Sequence, residues 1–270
     1  MYRLIAIDLD GTLLTPAPHK MITPRTYKAL HEAAAAGLKI VITTGQTLAV
    51  LQHVCAELPL AGPQIIENGA IVADFHTGEI LHEQLFPQAY ILPALDAMRT
   101  LGLYCVYHTH EAVYADRGTP RVRTWYRPPV PPAIEVEDVA KLYPRTCIKL
   151  AGVGEAATLV LKRKELERIF AGQLYVTQSA YDLLEFLHPQ VSKGQALREI
   201  AADLRIAPRE IMAIGDNYND ISMLRFAGLG VAMANAPNEV KELADHVTLS
   251  NSQEGVATVI EEMVLNAKTE

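Results

Sequence analysis

Asp8, Asp10 and Asp216 are the residues of this 270-residue chain whose types and places could do chemistry. Each sits in a polar turn that ends a short apolar run. Asp8-Leu9-Asp10-Gly11-Thr12 follows Leu4-Ile5-Ala6-Ile7, and Gly215-Asp216-Asn217-Tyr218-Asn219-Asp220 follows Ile211-Met212-Ala213-Ile214. A third turn, Thr43-Thr44-Gly45, stops the run from Leu38 to Ile42. Such runs predict buried strands, and ligands of open parallel sheets bind beyond the carboxyl ends of their strands. The three turns are therefore expected to meet at one site. Carboxylates gathered there would repel one another unless a hard dication lay among the oxygens, and Mg2+ suits few carboxylates, several waters and a phosphate oxygen. No Cys/His cluster with zinc spacing competes for that role.

A fourth element adds a cation. Ser192-Lys193-Gly194-Gln195 has the form of a capping box, with Ser192 as N-cap and Gln195 reaching back. Lys193 then falls in the first helical turn, where a positive charge opposes the helix macrodipole. Its presence makes sense if that helix end faces an anion. From the dipole alone, replacing Lys193 should cost activity and little stability.

The elements that must position these turns follow from the remaining pattern. Thr23 as N-cap, Pro24 at the first helical position and Gly37 past the end bracket a helix. A second helix is expected from just after Gly45 to about Glu57, with short strands at Ile65-Ile66, Ile71-Val72 and Ile80-Leu81. Asn68-Gly69 and His76-Thr77-Gly78 read as the turns between them. Near the far end, helix Lys193 to Leu204, strand Ile211 to Ile214, a further helix, strand Leu229 to Val231 and helix Gln253 to Leu265 repeat the alternation of a parallel sheet. From about Pro87 to Pro189 the texture changes: runs such as Tyr104 to Tyr107, Cys147 to Leu150, Leu174 to Val176 and Leu183 to Leu187 alternate with helical or Pro-rich stretches. The expected architecture is an α/β, Rossmann-like parallel-sheet core (residues 1–86 and 190–270) with an inserted α+β cap domain (87–189).

In order, Asp8-Leu9-Asp10-Gly11-Thr12-Leu13, Thr44-Gly45, Lys193 and Gly215-Asp216-Asn217-Tyr218-Asn219-Asp220 resemble the four motifs of the haloacid dehalogenase-like hydrolases. Asn68-Gly69-Ala70 and Val191-Ser192-Lys193-Gly194 are similar to its Cof-type branch, whose members carry a large α/β cap. The resemblance spans nearly the whole chain and implies a phosphatase of sugar phosphates and similar small phosphomonoesters. It implies Asp8 as nucleophile, Asp10 as general acid and base, and Mg2+ held by Asp8, the Asp10 backbone carbonyl and Asp216. Thr44 and the Gly45 N–H would hold phosphoryl oxygens beside Lys193, Asn219 would bond the phosphate or the metal's waters, and Asp220 would orient Lys193. One position departs from the family's frequent Thr-Gly-Arg: Gln46 puts a neutral amide where a guanidinium often stands, removing a bidentate phosphate partner. A phosphotransferase or mutase would use the same intermediate. A non-catalytic phospho-ligand-binding module would be expected to lack Asp8 or Asp10.

Composition bounds the rest. A net charge of -7 and a pI near 5.7 argue against a nucleic-acid surface, and no apolar run is long enough to span a bilayer. The N-terminus meets acidic residues too early for a signal peptide. Cys55, Cys105 and Cys147 are odd in number and widely spaced, which predicts buried free thiols and a cytoplasmic protein. The expected partner is a small phosphorylated metabolite, and the expected assembly a monomer or homodimer. His108-Thr109-His110 puts two imidazoles on one strand face with no third ligand evident, so a surface strand is expected. Arg117 to Arg127 holds four arginines with the only tryptophan, and could be a substrate-facing loop of the cap, a partner surface or a solvated segment.

Overall fold

The apolar run before Asp8 becomes the middle of the larger of two sheets. In the computed structural model, which describes residues 1–120 and 132–266, this run is β1 (Leu4–Asp8), buried along its whole length. The chain continues through α1 (Pro24–Ala35), β2 (Lys39–Thr43), α2 (Leu48–Val54), β3 (Pro63–Ile66), β4 (Ile71–Asp74) and β5 (Ile80–Glu83). Then come α3 (Ile91–Thr100), β6 (Tyr104–His108), β7 (Val113–Asp116), β8 (Ile134–Val136), β9 (Lys149–Val153), α4 (Ala156–Ile169), β10 (Tyr175–Ala180) and β11 (Leu183–Leu187). Last are α5 (Lys193–Asp203), β12 (Ile211–Gly215), α6 (Ile221–Phe226), β13 (Leu229–Ala232), α7 (Asn238–Lys241), β14 (His246–Val247) and α8 (Gly255–Ile260). Two compact units result, one of Met1–His82 with Ser192–Glu270 and one of Glu83–Val191.

The first unit carries an eight-stranded sheet in the order β14-β13-β12-β1-β2-β3-β4-β5. The six strands from β14 to β3 pair in parallel, and β4 turns back antiparallel to β3. Strand β1 has β2 on one side and β12, which follows the insertion, on the other. That reversal of strand order is where an open α/β sheet leaves a crevice. Register aligns the ends: Asp8 faces Thr43, and Ile7 faces Ile214, so the Asp8, Thr44 and Asp216 turns leave the sheet at one level. Burial explains why β1 is apolar on both faces. Leu4 and Ala6 pack with Leu197, Ile200 and Met223, while Ile5 and Ile7 are fully buried as well.

The second unit is a six-stranded sheet, β10-β11-β9-β6-β7-β8, antiparallel except for the β7–β8 pair. Its own core joins Leu95 and Met98 of α3 and Leu159 and Leu166 of α4 to Tyr107, Leu150, Leu184 and Phe186 of the strands. The α/β core with an inserted α+β domain is the expected fold class.

Several local readings change. The helix expected from Gly45 to Glu57 is only Leu48–Val54, entered through Thr47. The strand expected at Cys147 to Leu150 is Lys149–Val153, because pairing on both flanks, His108 with Lys149 and Leu183 with Val153, sets its span. Strands β7 and β8 have no counterpart in the sequence reading; they are short, and only partners make them strands.

Candidate active site

The turn after β1 brings Asp8 and Asp10 to the sheet end. Gly11 within it has φ +87, and a Cβ there would lie 2.4 Å from Asp216 Oδ2, so only glycine lets the two turns approach. Thr12 Oγ1 donates to Asp216 Oδ1 at 2.8 Å, tying the first turn to the last. Asn235, which the sequence reading did not single out, donates from Nδ2 to Gly11 O at 2.9 Å and contacts Asp216 Oδ2 at 3.4 Å. Its Oδ1 accepts from Asn251 N–H at 3.0 Å, and Asn251 donates to Leu14 O. An asparagine in a loop after a strand carries no local signature of such a role.

Lys193 opens α5 with its side chain wholly buried. Ser192 caps the helix by accepting from Gln195 N–H at 3.1 Å. The second half of the expected capping box does not form, because the Gln195 amide donates to Glu199 at 3.0 Å instead. The helix start is drawn against β12's following segment by Gly194, whose N–H donates to Ser222 Oγ at 3.0 Å; a Cβ there would lie 2.3 Å from Ser222 O. Lys193 Nζ reaches Asp8 Oδ1 at 2.5 Å and Asp220 Oδ1 at 2.6 Å. Asp220 Oδ2 accepts from the Asp216 and Asn217 N–H groups at 2.8 and 2.9 Å. Both oxygens of Asp220 are thus engaged in holding Lys193 and the Asp216 turn.

Charge in this cluster is unbalanced. The carboxylates of Asp8, Asp216 and Asp220 each offer an oxygen within 4.8 Å of the others, and Lys193 is the one cation bonded to them among the described residues. Burial, then the charge of Asp220, holds Asp8 well above the usual carboxylate range despite Lys193. Burial and Asp220 likewise push Asp216 up to about 7. Burial opposes a charged Lys193, but Asp220 and Asp8 outweigh it and raise its proton affinity above the ordinary lysine value. Acids held above their usual range, and oxygen ligands at a crowded turn, are what a hard divalent cation would relieve. Asn219 Oδ1 adds a second mark: it is buried with no hydrogen-bond partner among the described residues. The donor set therefore fits a divalent metal.

Asp10 lies apart from these carboxylates. Lys20 Nζ bonds its Oδ1, and Gln46 Nε2 donates to its Oδ2 at 2.8 Å. Thr44 is buried; its N–H donates to Ile65 O at 2.8 Å, its carbonyl accepts from Asn68 N–H at 2.9 Å, and its Oγ1 accepts from Gln46 N–H at 3.1 Å. Thr47, not Thr44, precedes α2, so Thr44 is no helix cap. Gly45 lies between Thr44 and Gln46 in the same turn. Asn68 is a hairpin turn residue at φ 58 between β3 and β4, as expected, and its Oδ1 accepts from Asn219 Nδ2 at 2.8 Å.

Other readings resolve away from this site. Cys55, Cys105 and Cys147 are buried free thiols, and burial pushes Cys55 and Cys105 up to about 12. His108 is buried rather than at the surface, in register beside the buried Lys149 of the neighbouring strand β9. His110 pairs with Glu83, and no His/Cys cluster suited to a metal occurs among the described residues. The arginine-rich segment from Arg117 to Arg127 lies, from residue 121 on, outside the described residues. No described helix is long and apolar enough to cross a membrane.

Fold and site together define a hydrolase of the phosphatase class, built on an α/β core with an inserted domain. Residues 5–260 match the haloacid dehalogenase-like hydrolase family, and the chain belongs to it. It is 36% identical over 274 residues to the Bacillus subtilis (strain 168) protein YxeH, which bears a phosphatase name, covering 98% of this chain and 99% of that one. It is 30% identical over 277 residues to the pyridoxal phosphate phosphatase YbhA of Escherichia coli (strain K12), covering 96% and 97%. A solved structure of a haloacid dehalogenase-like hydrolase from B. subtilis superimposes with a TM-score of 0.85 at 26% identity, covering 97% of this chain and all of that one.

Proposed function

We propose that this chain is a Mg2+-dependent phosphomonoester hydrolase, acting on small sugar phosphates or related metabolites through a phospho-aspartate at Asp8. The observation that carries this reading is the buried Lys193 bridging Asp8 and Asp220 beside Asp216. A hydrogen bond from Nζ to Oδ1 holds the Asp8 carboxylate in one orientation, as a nucleophile that must attack in line requires. Bound at Asp8, Asp216 and the Asp10 backbone carbonyl, Mg2+ would supply positive charge against the phosphoryl oxygens.

Asp8 attacks phosphorus, and the ester P–O bond breaks with its electron pair on the leaving oxygen, which takes a proton from Asp10. Water then bonds to phosphorus while giving a proton to Asp10, and the bond to Asp8 breaks with its pair returning to the carboxylate. Lys193 offsets negative charge beside Asp8 throughout. The Thr44 hydroxyl and the Gly45 N–H bind phosphoryl oxygens, and Asn219 donates to phosphate; its Oδ1, without a partner among the described residues, would accept from water held at the metal. YbhA, named for a phosphorylated heterocycle, supports a small phosphorylated substrate.

Inorganic phosphate release from a panel of phosphomonoesters, with Mg2+ and with chelator, tests the reading. Asp8→Asn should abolish release while leaving the far-UV spectrum unchanged, since the covalent intermediate cannot form without the carboxylate. A variant that kept more than about a tenth of kcat would remove Asp8 from the nucleophile's place.

A further inference from the structure

Gln46 stands where a guanidinium is frequent, and its side chain has a defined target. Its backbone is held at both ends: the N–H donates to Thr44 Oγ1 at 3.1 Å, and the carbonyl accepts from Glu67 N–H at 3.1 Å. Glu67 itself belongs to the β3–β4 hairpin turn. From that fixed base Nε2 reaches Asp10 Oδ2 at 2.8 Å in a partly buried hydrogen bond. The other carboxylate oxygen, Oδ1, meets Lys20 Nζ. Lys20 is carried by a loop that Thr15 closes, its hydroxyl donating to His19 O at 2.8 Å and accepting from Met21 N–H at 3.1 Å. The two donors differ in weight. Lys20 is half exposed, and an exposed ion pair shifts an equilibrium by at most about fivefold. Gln46 is the better-held partner.

We propose that Gln46 is the positioning residue of Asp10: its amide orients the carboxyl that protonates the leaving oxygen, a role that a neutral donor fills without competing for the phosphate. The inference rests on the phosphatase reading above. Asp10's proton matters most when the leaving group is a poor one. An alkyl phosphate must be protonated as its P–O bond breaks, whereas an aryl phenolate departs without a proton. Because kcat/KM reports the steps up to formation of the phospho-aspartate, the pair of substrates isolates that proton transfer.

The test measures kcat/KM of wild type, Gln46→Met and Gln46→Ala on an alkyl phosphomonoester and on p-nitrophenyl phosphate with Mg2+, and solves the Gln46→Met structure. Gln46→Met keeps the side chain's length without its donor, and the alanine variant covers a methionine that fails to fold. Both variants should lose about tenfold or more on the alkyl ester and less than about threefold on the aryl ester, with KM little changed. Asp10 in the methionine variant should adopt a different rotamer. Equal losses on both esters would make Gln46 a phosphate ligand or a structural group, and no loss on either would make its bond incidental; each overturns the proposal. So would an unmoved Asp10. If wild type releases phosphate from neither ester, the phosphatase reading fails instead, and the Asp10 rotamer still decides the geometry.

Discussion

At Lys193 two electrostatic effects oppose each other. A cation in a first helical turn loses roughly 0.3–1 kcal/mol to the macrodipole, which is the basis for expecting no stabilising role. The structure buries that cation between Asp8 and Asp220, and removing one partner of a buried pair costs about 3–5 kcal/mol. The ion pair wins. Lys193→Met should lower kcat/KM by about 100-fold, and thermal unfolding at neutral pH should drop by at least about 5 °C. A variant as stable as wild type would show that the pair is solvated and that the dipole estimate was sufficient. Asp216 yields a second expectation at this scale. Its folded affinity for a proton, about 7, exceeds the unfolded value of 3.8. Its contribution to the stability of the metal-free chain is therefore full below about 3.8 and is lost as pH rises through about 7. A dication replacing that proton reverses the loss, so Mg2+ should raise the unfolding temperature more at about pH 8 than at about pH 5.5. Thermal scans with Mg2+ and with chelator at both values check this; an equal increment would place the metal away from Asp216.

The helix α5 is positioned by backbone contact as much as by packing. Gly194, the second residue of α5, would ordinarily gain at most about 1 kcal/mol on replacement by alanine. Here the added Cβ would sit 2.3 Å from Ser222 O and 2.4 Å from Ser222 C, backbone atoms that cannot swing aside. Overpacking of that kind costs about 1–3 kcal/mol, enough to reverse the gain. Moving α5 also moves Lys193 off Asp8. Gly194→Ala should therefore lower both the unfolding temperature and kcat/KM, the latter by about tenfold or more. A stabilised, fully active variant would mean that the helix start slides without cost.

Among the described residues each unit has a hydrophobic cluster of its own, one around β1 and α5 and one around Phe186, Leu184 and Leu150. Phe186 is fully buried and meets Phe170 edge-on with ring centroids 6.4 Å apart. Phe186→Ala should cost about 3–5 kcal/mol. Because the cavity opens in the second cluster, amide hydrogen exchange should rise in β6, β9, β10 and β11 far more than in β1 and β12. Uniform acceleration across both sheets would show that the two clusters open as one.

Much was legible in the sequence where a residue's local pattern and its final environment agree. Apolar runs stopped by the turns at Asp8, Thr43-Thr44 and Asp216 read as strands ending there, because strands buried on both faces are nearly continuous apolar runs. Thr23 with Pro24, and Ser192, announced helix starts by side-chain chemistry that acts within one turn. Contacts made by distant segments were not legible. The Gln195 amide chose Glu199 over the helix start, β9 took its span from two neighbouring strands, and Asn235 reached Gly11 and Asp216 from a loop with no motif of its own. Gln46 was visible as a departure, but its partner was not, since Asp10 and Gln46 share no local spacing and meet only where β1 and β2 end side by side. Propensity and capping depend on neighbours within a few residues, so the chain alone determined most of its elements and its fold class, and it singled out Asp8 and Asp216, which the fold brings together. Burial, and the charge imbalance that raises Asp8 and Asp216, depend on which strands lie adjacent, and only the tertiary structure decided that.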